Sequence, residues 1–504
     1  MITLFDSIKK QKLKFEPISP KQVRIYVCGP TVYDDAHLGH ARSSIAFDLW
    51  RRLFLFLDFK VIFAKNFTDI DDKIIKKSLQ NGISVEEVSE RYIELYLNDM
   101  HALGILRPDL EPKATSNLPV MHEMIEQLLQ KGYAYKGENN DVYLSIAKDK
   151  AYGSLSQRTT HDHDQSRITN ANDKQEESDF ALWKGYKGEN DIAYDSPFGK
   201  GRPGWHIECS AMIEKHLAYD MREKQAYEKQ EFAIDIHAGG ADLLFPHHEN
   251  EASQTRCATG RELAKYWLHN GFVNINGEKM SKSLGNSFFI KDALKVYDGE
   301  ILRNYLLGVH YRLVLNFNEE DLLQSKKRLD KIYRLKKRIM AERIADSMPQ
   351  TKALDSTELA QQLESLHTLK THTKNAQDSF IKPLLEALSD DYNISKALSI
   401  IEEMLSISND YLDKNPKDKA YKLAISGNLA CIEYLLGLGD KDPIAYFQLG
   451  LTEQERQDIE SKLQERTKAK KQKNYALADS IRDELKAQGI EIMDTPQGST
   501  WEKI

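Results

Sequence analysis

Cysteine is scarce in this chain. Four residues (Cys28, Cys209, Cys257 and Cys431) among 504 are too few and too scattered for a disulfide framework, which leaves buried thiols or metal thiolates as their use. A long apolar run is also missing. The N-terminus has no apolar core of an export signal, and residues 45–64 are interrupted by Asp48, Arg51, Arg52, Asp58 and Lys60. Neither a signal peptide nor a membrane span is expected, so the expected location is the cytoplasm with no membrane partner. No repeat of 20–50 residues is found, which excludes solenoids and propellers. Positive charge is not in excess: the net charge is −7, and any contact with nucleic acid has to use local basic patches.

What is present is length, pattern and two motifs. A chain of 504 residues is too long for one core and predicts three or four domains. Residues 23–27 (VRIYV) form a short β-rich run, followed by a loop to His40, a helical stretch over 41–56 and a second apolar run at 61–64. This is a βαβ unit, which predicts a parallel sheet with ligands at its carboxyl edge. Over 113–203 the texture changes to short helices, a strand-like run and a polar stretch at 159–178, which predicts an inserted domain. Strand character resumes at 232–236 and ends in His237, Ala238, Gly239 and Gly240. Beyond Asp298 the pattern is helical with many i,i+4 charge pairs, up to a linker-like 437–442. One basic helix is expected over 452–488, then a turn-rich segment ending at Trp501.

The first motif is His37-Leu38-Gly39-His40 at a strand-to-helix turn. Alone it reads equally well as a helix start with a core histidine. As a nucleotide site, the glycine permits close approach, the helix N-terminus favours phosphate, and the imidazoles donate to its oxygens. The second is Lys279-Met280-Ser281-Lys282-Ser283, a loop with two ammonium groups, whose bland reading is a solvated polar loop. Cys28, Cys209, His247 and Glu251 form a plausible Zn²⁺ set, because His247 and Glu251 at i and i+4 share one helix face. Ordinary buried thiols and a histidine cap are the rival reading. His248, one residue along, is expected to point elsewhere.

With these residues go residues 26–42 (YVCGPTVYDDAHLGHAR), 66–73 (NFTDIDDK), 196–212 (SPFGKGRPGWHIECSAM), 245–254 (FPHHENEASQ), 277–286 (GEKMSKSLGN) and 494–501 (DTPQGSTW). Over nearly its whole length the chain resembles the cysteinyl-tRNA synthetase family of class I. The resemblance implies an α/β fold: a Rossmann-like parallel-sheet catalytic domain with an inserted connective domain, then an α-helical bundle and a small C-terminal domain. Expected boundaries are 1–112 and 204–275 for the two catalytic halves and 113–203 for the insert. A stem-contact region with the lysine loop follows at 276–325, then a tRNA-binding bundle at 326–440 and an anticodon-binding domain at 445–504. It implies a ligase that joins L-cysteine to tRNA(Cys) at the expense of ATP, with one Zn²⁺ per chain on Cys28, Cys209, His247 and Glu251 and Mg²⁺ with ATP. Catalytic roles fall on His37, His40, Lys279 and Lys282, and ATP contacts on His37, Gly39, His40 and Lys282. Substrate contacts fall on Gly29, Thr68, Trp205, His237 and Asp242. A monomer is expected.

RNA contacts are sought in Lys326, Lys327 and Arg328, and in Arg466, Lys468, Lys470, Lys471 and Lys473. Trp501 suits either a base-stacking surface or the core of a small domain. Two departures from the family pattern stand out. Ala238 replaces a third glycine and is expected to narrow the room beside the nucleotide, and residues 217–232 form a longer, charge-rich excursion.

Overall fold

The computed structural model describes residues 1–158, 174–219, 231–275, 278–279, 288–340, 380–495 and 498–503. A hairpin, β1 (Thr3–Asp6) and β2 (Gln11–Lys14), precedes the alternating unit. β3 (Gln22–Val27) runs into α1 (Leu38–Phe56), which returns the chain to β4 (Lys60–Lys65) in parallel register, Gln22 opposite Lys60 and Val27 opposite Lys65. α2 (Asp72–Asn81) and α3 (Val85–Ala102) each start on a side-chain cap, from Asp71 and Ser84. α4 (Leu118–Gln130) then leads to an antiparallel sheet of β5 (Ala134–Lys136), β6 (Val142–Leu144), β7 (Phe180–Gly185) and β8 (Gly201–Pro203).

The parallel sheet is completed from the second half. After α5 (Trp205–His216), β9 (Phe232–Gly240) lies beside β3; after α6 (Glu249–Thr259), β10 (Glu262–Asn270) lies beside β9, giving the order β10-β9-β3-β4. The chain therefore leaves β3 first toward one edge and later toward the other. The carboxyl ends of β3 and β9 flank this switch point, where open α/β sheets bind ligands. The antiparallel layer has its own apolar cluster, including Met121, Ile125, Leu128 and Trp183. It is seated on Ile207 and Met212 of α5 and Ala258 of α6.

Beyond the sheet come β11 (Val273–Ile275), β12 (Glu278–Lys279), α7 (Ile290–Ala293), α8 (Gly299–Leu307), β13 (Leu315–Phe317) and α9 (Glu319–Ile339). Three more helices, Ile381–Ser389, Ile394–Lys414 and Lys419–Leu436, share one apolar core with α1 and the sheet. Charge binds them as well. Asp48 of α1 pairs with Arg52 at 2.8 Å and Arg303 of α8 at 2.5 Å, all three buried. The two guanidiniums donate onward to the carbonyls of Tyr434 and Leu436, at the C-terminal end of the helix Lys419–Leu436, where carbonyls lack helical partners. Gly437 ends that helix at φ 67, and a Cβ there would lie 2.6 Å from Arg303 Nε. Arg303→Met is expected to cost on the order of 3 kcal/mol by leaving Asp48 and these carbonyls undersatisfied. A lower urea midpoint is the readout.

Three expectations need correction here. The stretch 452–488 is two helices, Glu453–Lys471 and Tyr475–Ala487. Lys473 takes a left-handed φ of 58 and the Asn474 side chain caps the second helix, so the chain reverses and buries both apolar stripes against each other. Residues 437–442 are no free linker, since Glu300 accepts from Gly439 N and Lys441 bonds Asp298 and Glu300. In the bundle, Lys331–Glu402 and Arg338–Asp413 join different helices, while Lys326–Asp330 is an i,i+4 pair. The polar stretch at 159–178 and the excursion at 217–232 lie largely outside the described residues.

Candidate metal centre and nucleotide site

The four sequence-assigned ligands come from four separate segments and converge at one place. Cys28 directly follows β3 and donates its backbone N–H to the Ala238 carbonyl of β9 at 3.1 Å. Cys209 lies in α5, His247 in the turn Leu244–His248 before α6, and Glu251 in the first turn of α6, where the helix dipole favours a carboxylate. All four are buried and their ligand atoms converge. Sulfur and nitrogen ligands of a tetrahedral zinc stand ~3.8 Å (S–S) and ~3.6 Å (S–N) apart. Here Cys28 Sγ to Cys209 Sγ is 3.8 Å, Cys209 Sγ to His247 Nε2 is 3.7 Å and Cys28 Sγ to Glu251 Oε1 is 3.4 Å. The His247–Glu251 edge, at 2.7 Å, is a hydrogen-bond length. The residues fit zinc.

Their protonation fits too. The hydrogen bond from Cys28 draws the Cys209 thiol down to about 6 against burial, with help from His247. Burial and then Cys209 push the Cys28 thiol well above its ordinary value. Burial would lower His247, yet Glu251 and Cys209 raise it to about 10. Burial would raise Glu251, yet His247 and His237 hold it well below the carboxylate range. The protons kept by Cys28 and His247 are those a metal displaces.

A second set, Cys28, His237, His248 and Glu251, converges in the same place. His248 therefore does not turn wholly away. Its Nδ1 meets His269 Nε2 at 2.8 Å, while its Nε2 has no hydrogen-bond partner among the described residues. Two thiolates favour the first set, since the second would strand Cys209 beside the ion. Histidines that the sequence did not single out orient the ligands. His206 Nδ1 lies 2.9 Å from His247 Nδ1, so Nε2 is the nitrogen turned to Cys209 and Glu251. His206 stands three residues before Cys209 on α5, a helical-face spacing that was the available signal.

The remaining predicted residues are spread differently. His237, expected at the substrate, bonds Glu251 Oε2 at 2.5 Å and meets the Tyr26 carbonyl through Nδ1 at 3.3 Å. Thr68 is buried and donates its hydroxyl to Glu208 at 2.9 Å. Gly29 donates to Asn66 Oδ1 at 2.8 Å, and a Cβ there would lie 1.6 Å from the Asn66 carbonyl oxygen. Trp205 stacks on the His247 ring (4.1 Å between centroids, 16° between planes) with its indole half-buried, and Asp242 is exposed in the turn after β9. Ala238 is fully buried, in the same core cluster as Val27 and Ile236.

His37 caps α1, and the two motif histidines lock one another. Gly39 N–H donates to His37 Nδ1 at 3.1 Å and His37 N–H donates to His40 Nδ1 at 3.2 Å, with the rings stacked at 3.9 Å. With Nδ1 accepting on both rings, the ring proton of each sits on Nε2. The segment after the lysine motif returns against this turn. Leu38 N–H donates to the Phe288 carbonyl, Ile290 N–H to Ala36, and Lys291 pairs with Asp35 at 2.5 Å. Lys279 is placed through its backbone in β12, and Lys282 lies outside the described residues.

This constellation coincides with the comparisons. The family described as "tRNA synthetases class I (C) catalytic domain" matches residues 14–327. A cysteine–tRNA ligase from Helicobacter hepaticus is 74% identical over the full length of both chains. The chain belongs to the cysteine–tRNA ligase family of class I. A second such ligase, from Wolinella succinogenes, is 57% identical, again over all of both chains. Among solved structures, Mycobacterium tuberculosis methionyl-tRNA synthetase with methionyl-adenylate shares the fold at a TM-score of 0.56 and 14% identity, over 86% of this chain and 95% of that one. The protein is thus a class I aminoacyl-tRNA ligase, and no helix among its described residues is long and apolar enough to cross a membrane.

Proposed function

We propose that this enzyme activates L-cysteine with ATP, releasing pyrophosphate, and transfers the cysteinyl group to the 3'-terminal ribose of tRNA(Cys) for protein synthesis. One zinc ion is held by Cys28, Cys209, His247 and Glu251. The observation that carries the reading is the convergence of these four side chains beside the capped turn of His37 and His40. When bound, zinc supplies a soft partner for the thiolate of cysteine and a poor one for the hydroxyl of serine. That exceeds the 1–3 kcal/mol by which an apolar pocket separates near-isosteres, so an editing domain is not required.

The chain's own residues do the rest. Attack of the cysteine carboxylate on the α-phosphorus needs positioning and charge stabilisation rather than a strong base. Nε2–H of His37 and His40 donate to phosphate oxygens, supported by the N-terminus of α1 and the close approach at Gly39. Lys279 and Lys282 stabilise the departing pyrophosphate, and Mg²⁺ accompanies ATP. Exposed Asp242 takes the substrate ammonium, and Trp205 walls the pocket over His247. Gly29 keeps the strand connection tight against Asn66. His237 and Thr68 act one step removed, through Glu251 and Glu208.

The antiparallel layer at 113–203 serves as the connective insert, 276–325 as the stem-contact region, 326–440 as the tRNA-binding bundle and 445–504 as the anticodon module of a monomeric cytoplasmic enzyme. Arg466 and Lys470 are paired with Asp494, and Lys326 with Asp330, which leaves exposed Lys327, Lys468, Lys471 and Lys473 for phosphates. Trp501 is 2% exposed and bonded to Glu460, so it belongs to the core; Tyr475, 63% exposed among those lysines, is the stacking surface. Deletion from Leu451 is expected to spare cysteine-dependent ATP–pyrophosphate exchange and to lower tRNA charging by roughly 100-fold, and Tyr475→Ala to raise the KM for tRNA about tenfold. Equal loss of both steps on deletion would remove the tail from this role.

A further inference from the structure

We propose that the cavity between α1, β4 and α3 is a binding site for a small apolar carboxylate, taken up independently of cysteine, ATP and tRNA. The cavity measures about 220 Å³ and is walled by Phe47, Phe63, Phe67, Leu97, Met100 and Ile105. A dry cavity of about 150 Å³ holds benzene, so this one accommodates roughly nine non-hydrogen atoms. None of Cys28, His37, His40 or the other site residues lines it.

Lys65, the last residue of β4, gives the cavity its specificity. It lines the wall and is 9% exposed. Its Nζ donates to Ser44 Oγ at 2.7 Å and stands 5.3 Å from the centre of the Tyr96 ring. No carboxylate pairs with it among the described residues. The other ionised groups of the wall are already matched: Asp48 with Arg52 and Arg303, Arg51 with Asp109, and Arg107 with Glu111. An ammonium has three donors, and a hydroxyl with a ring face leaves it short of one acceptor and of all counter-charge. A buried cation in an apolar wall is costly until an anion joins it. The wall therefore selects an apolar body and Lys65 a single negative head. A phosphate ester carries too much charge and hydration for such a lining, and a neutral ligand leaves Lys65 as it was. Ser44 Oγ also shares a hydrogen bond with Tyr96 Oη at 3.0 Å, and the Tyr96 ring meets His40 edge-on at 6.4 Å. An occupant would thus lie one ring away from the nucleotide turn.

Hexanoate is the probe, titrated calorimetrically into the full-length enzyme. Saturable binding at one site per chain is expected, with hexanamide at least tenfold weaker, because only the charged head pairs with Lys65. Lys65→Met should weaken hexanoate tenfold or more, Lys65→Arg should retain it, and Met100→Trp should abolish it by filling the cavity. The comparison of hexanoate with hexanamide on the unmodified enzyme decides the matter even where a variant does not fold. Absence of saturable hexanoate binding, equal affinity for the amide, or unchanged binding by folded Lys65→Met or Met100→Trp would each overturn the assignment.

Discussion

Cys28→Ser is expected to empty the metal centre, taking zinc from one per chain to below roughly a tenth, and to lower cysteine-dependent ATP–pyrophosphate exchange by at least ~100-fold. Loss of a mere outer-shell partner of a metal ligand costs 10–100-fold, and here a ligand itself goes. Cys28 Sγ makes two of the edges that match a tetrahedral site, to Cys209 at 3.8 Å and to Glu251 at 3.4 Å. A serine hydroxyl is nearly the size of the thiol, so the fold survives, but it is a hard, protonated oxygen where a thiolate is required. Cys257→Ser is the matched control. Cys257 is buried with the insert's core, burial pushes its thiol up to about 12, and it lies outside the converging cluster. That variant should keep full zinc and full rate. Metal analysis of both proteins, beside exchange kinetics, separates loss of a ligand from loss of structure.

His40→Ala is expected to lower kcat for the same exchange by ~100- to 1000-fold, with the KM for cysteine changed little, because a preorganised donor to transition-state charge is removed. The substitution has a structural side effect. His40 Nδ1 accepts the His37 backbone N–H in the cap of α1, and a lost cap costs about 1 kcal/mol. His40→Gln distinguishes the two roles, since glutamine at the third helical position completes a capping box. Its melting temperature should return toward that of the unmodified protein while its rate stays low. Recovery of the rate along with the melting temperature would assign His40 to helix capping alone.

The parts of this molecule that were legible from sequence are those where function and local backbone coincide. β3, the turn at His37 and α1 form a contiguous unit whose period switches from two to 3.6, and that switch is visible without any tertiary information. Cys28 and His37 inherit their place from it. What local pattern does not carry is the facing of side chains across long sequence separations. Whether His237 turns to substrate or to Glu251 depends on α6, packed on β10, carrying Glu251 to β9, and whether Arg466 is free for RNA depends on Asp494, 28 residues away. Of the two places open to Trp501, the core is the one it takes, for the same reason: the break at Lys473 folds two helices over the indole and leaves the phenol of Tyr475 outside. His248 lies beside the converging set with its Nδ1 held by His269 of β10, a contact that no local pattern carries. Lys65 gave no signal, since a lysine at a strand end is ordinary until its burial without a carboxylate is seen.

Selection of cysteine for adenylation by a metal on Cys28, Cys209, His247 and Glu251 is open to one decisive measurement, ATP–pyrophosphate exchange across the amino acids. The assay is run on enzyme as purified, after exhaustive chelation, and after zinc is returned, with zinc content measured in each sample. Exchange is expected with cysteine and at least ~10⁴-fold less with serine, as for a site built around one substrate group. The cysteine signal should be lost with the metal and recover on adding zinc. Undiminished cysteine exchange in verified metal-free enzyme, or comparable exchange with serine, would contradict selection by the metal.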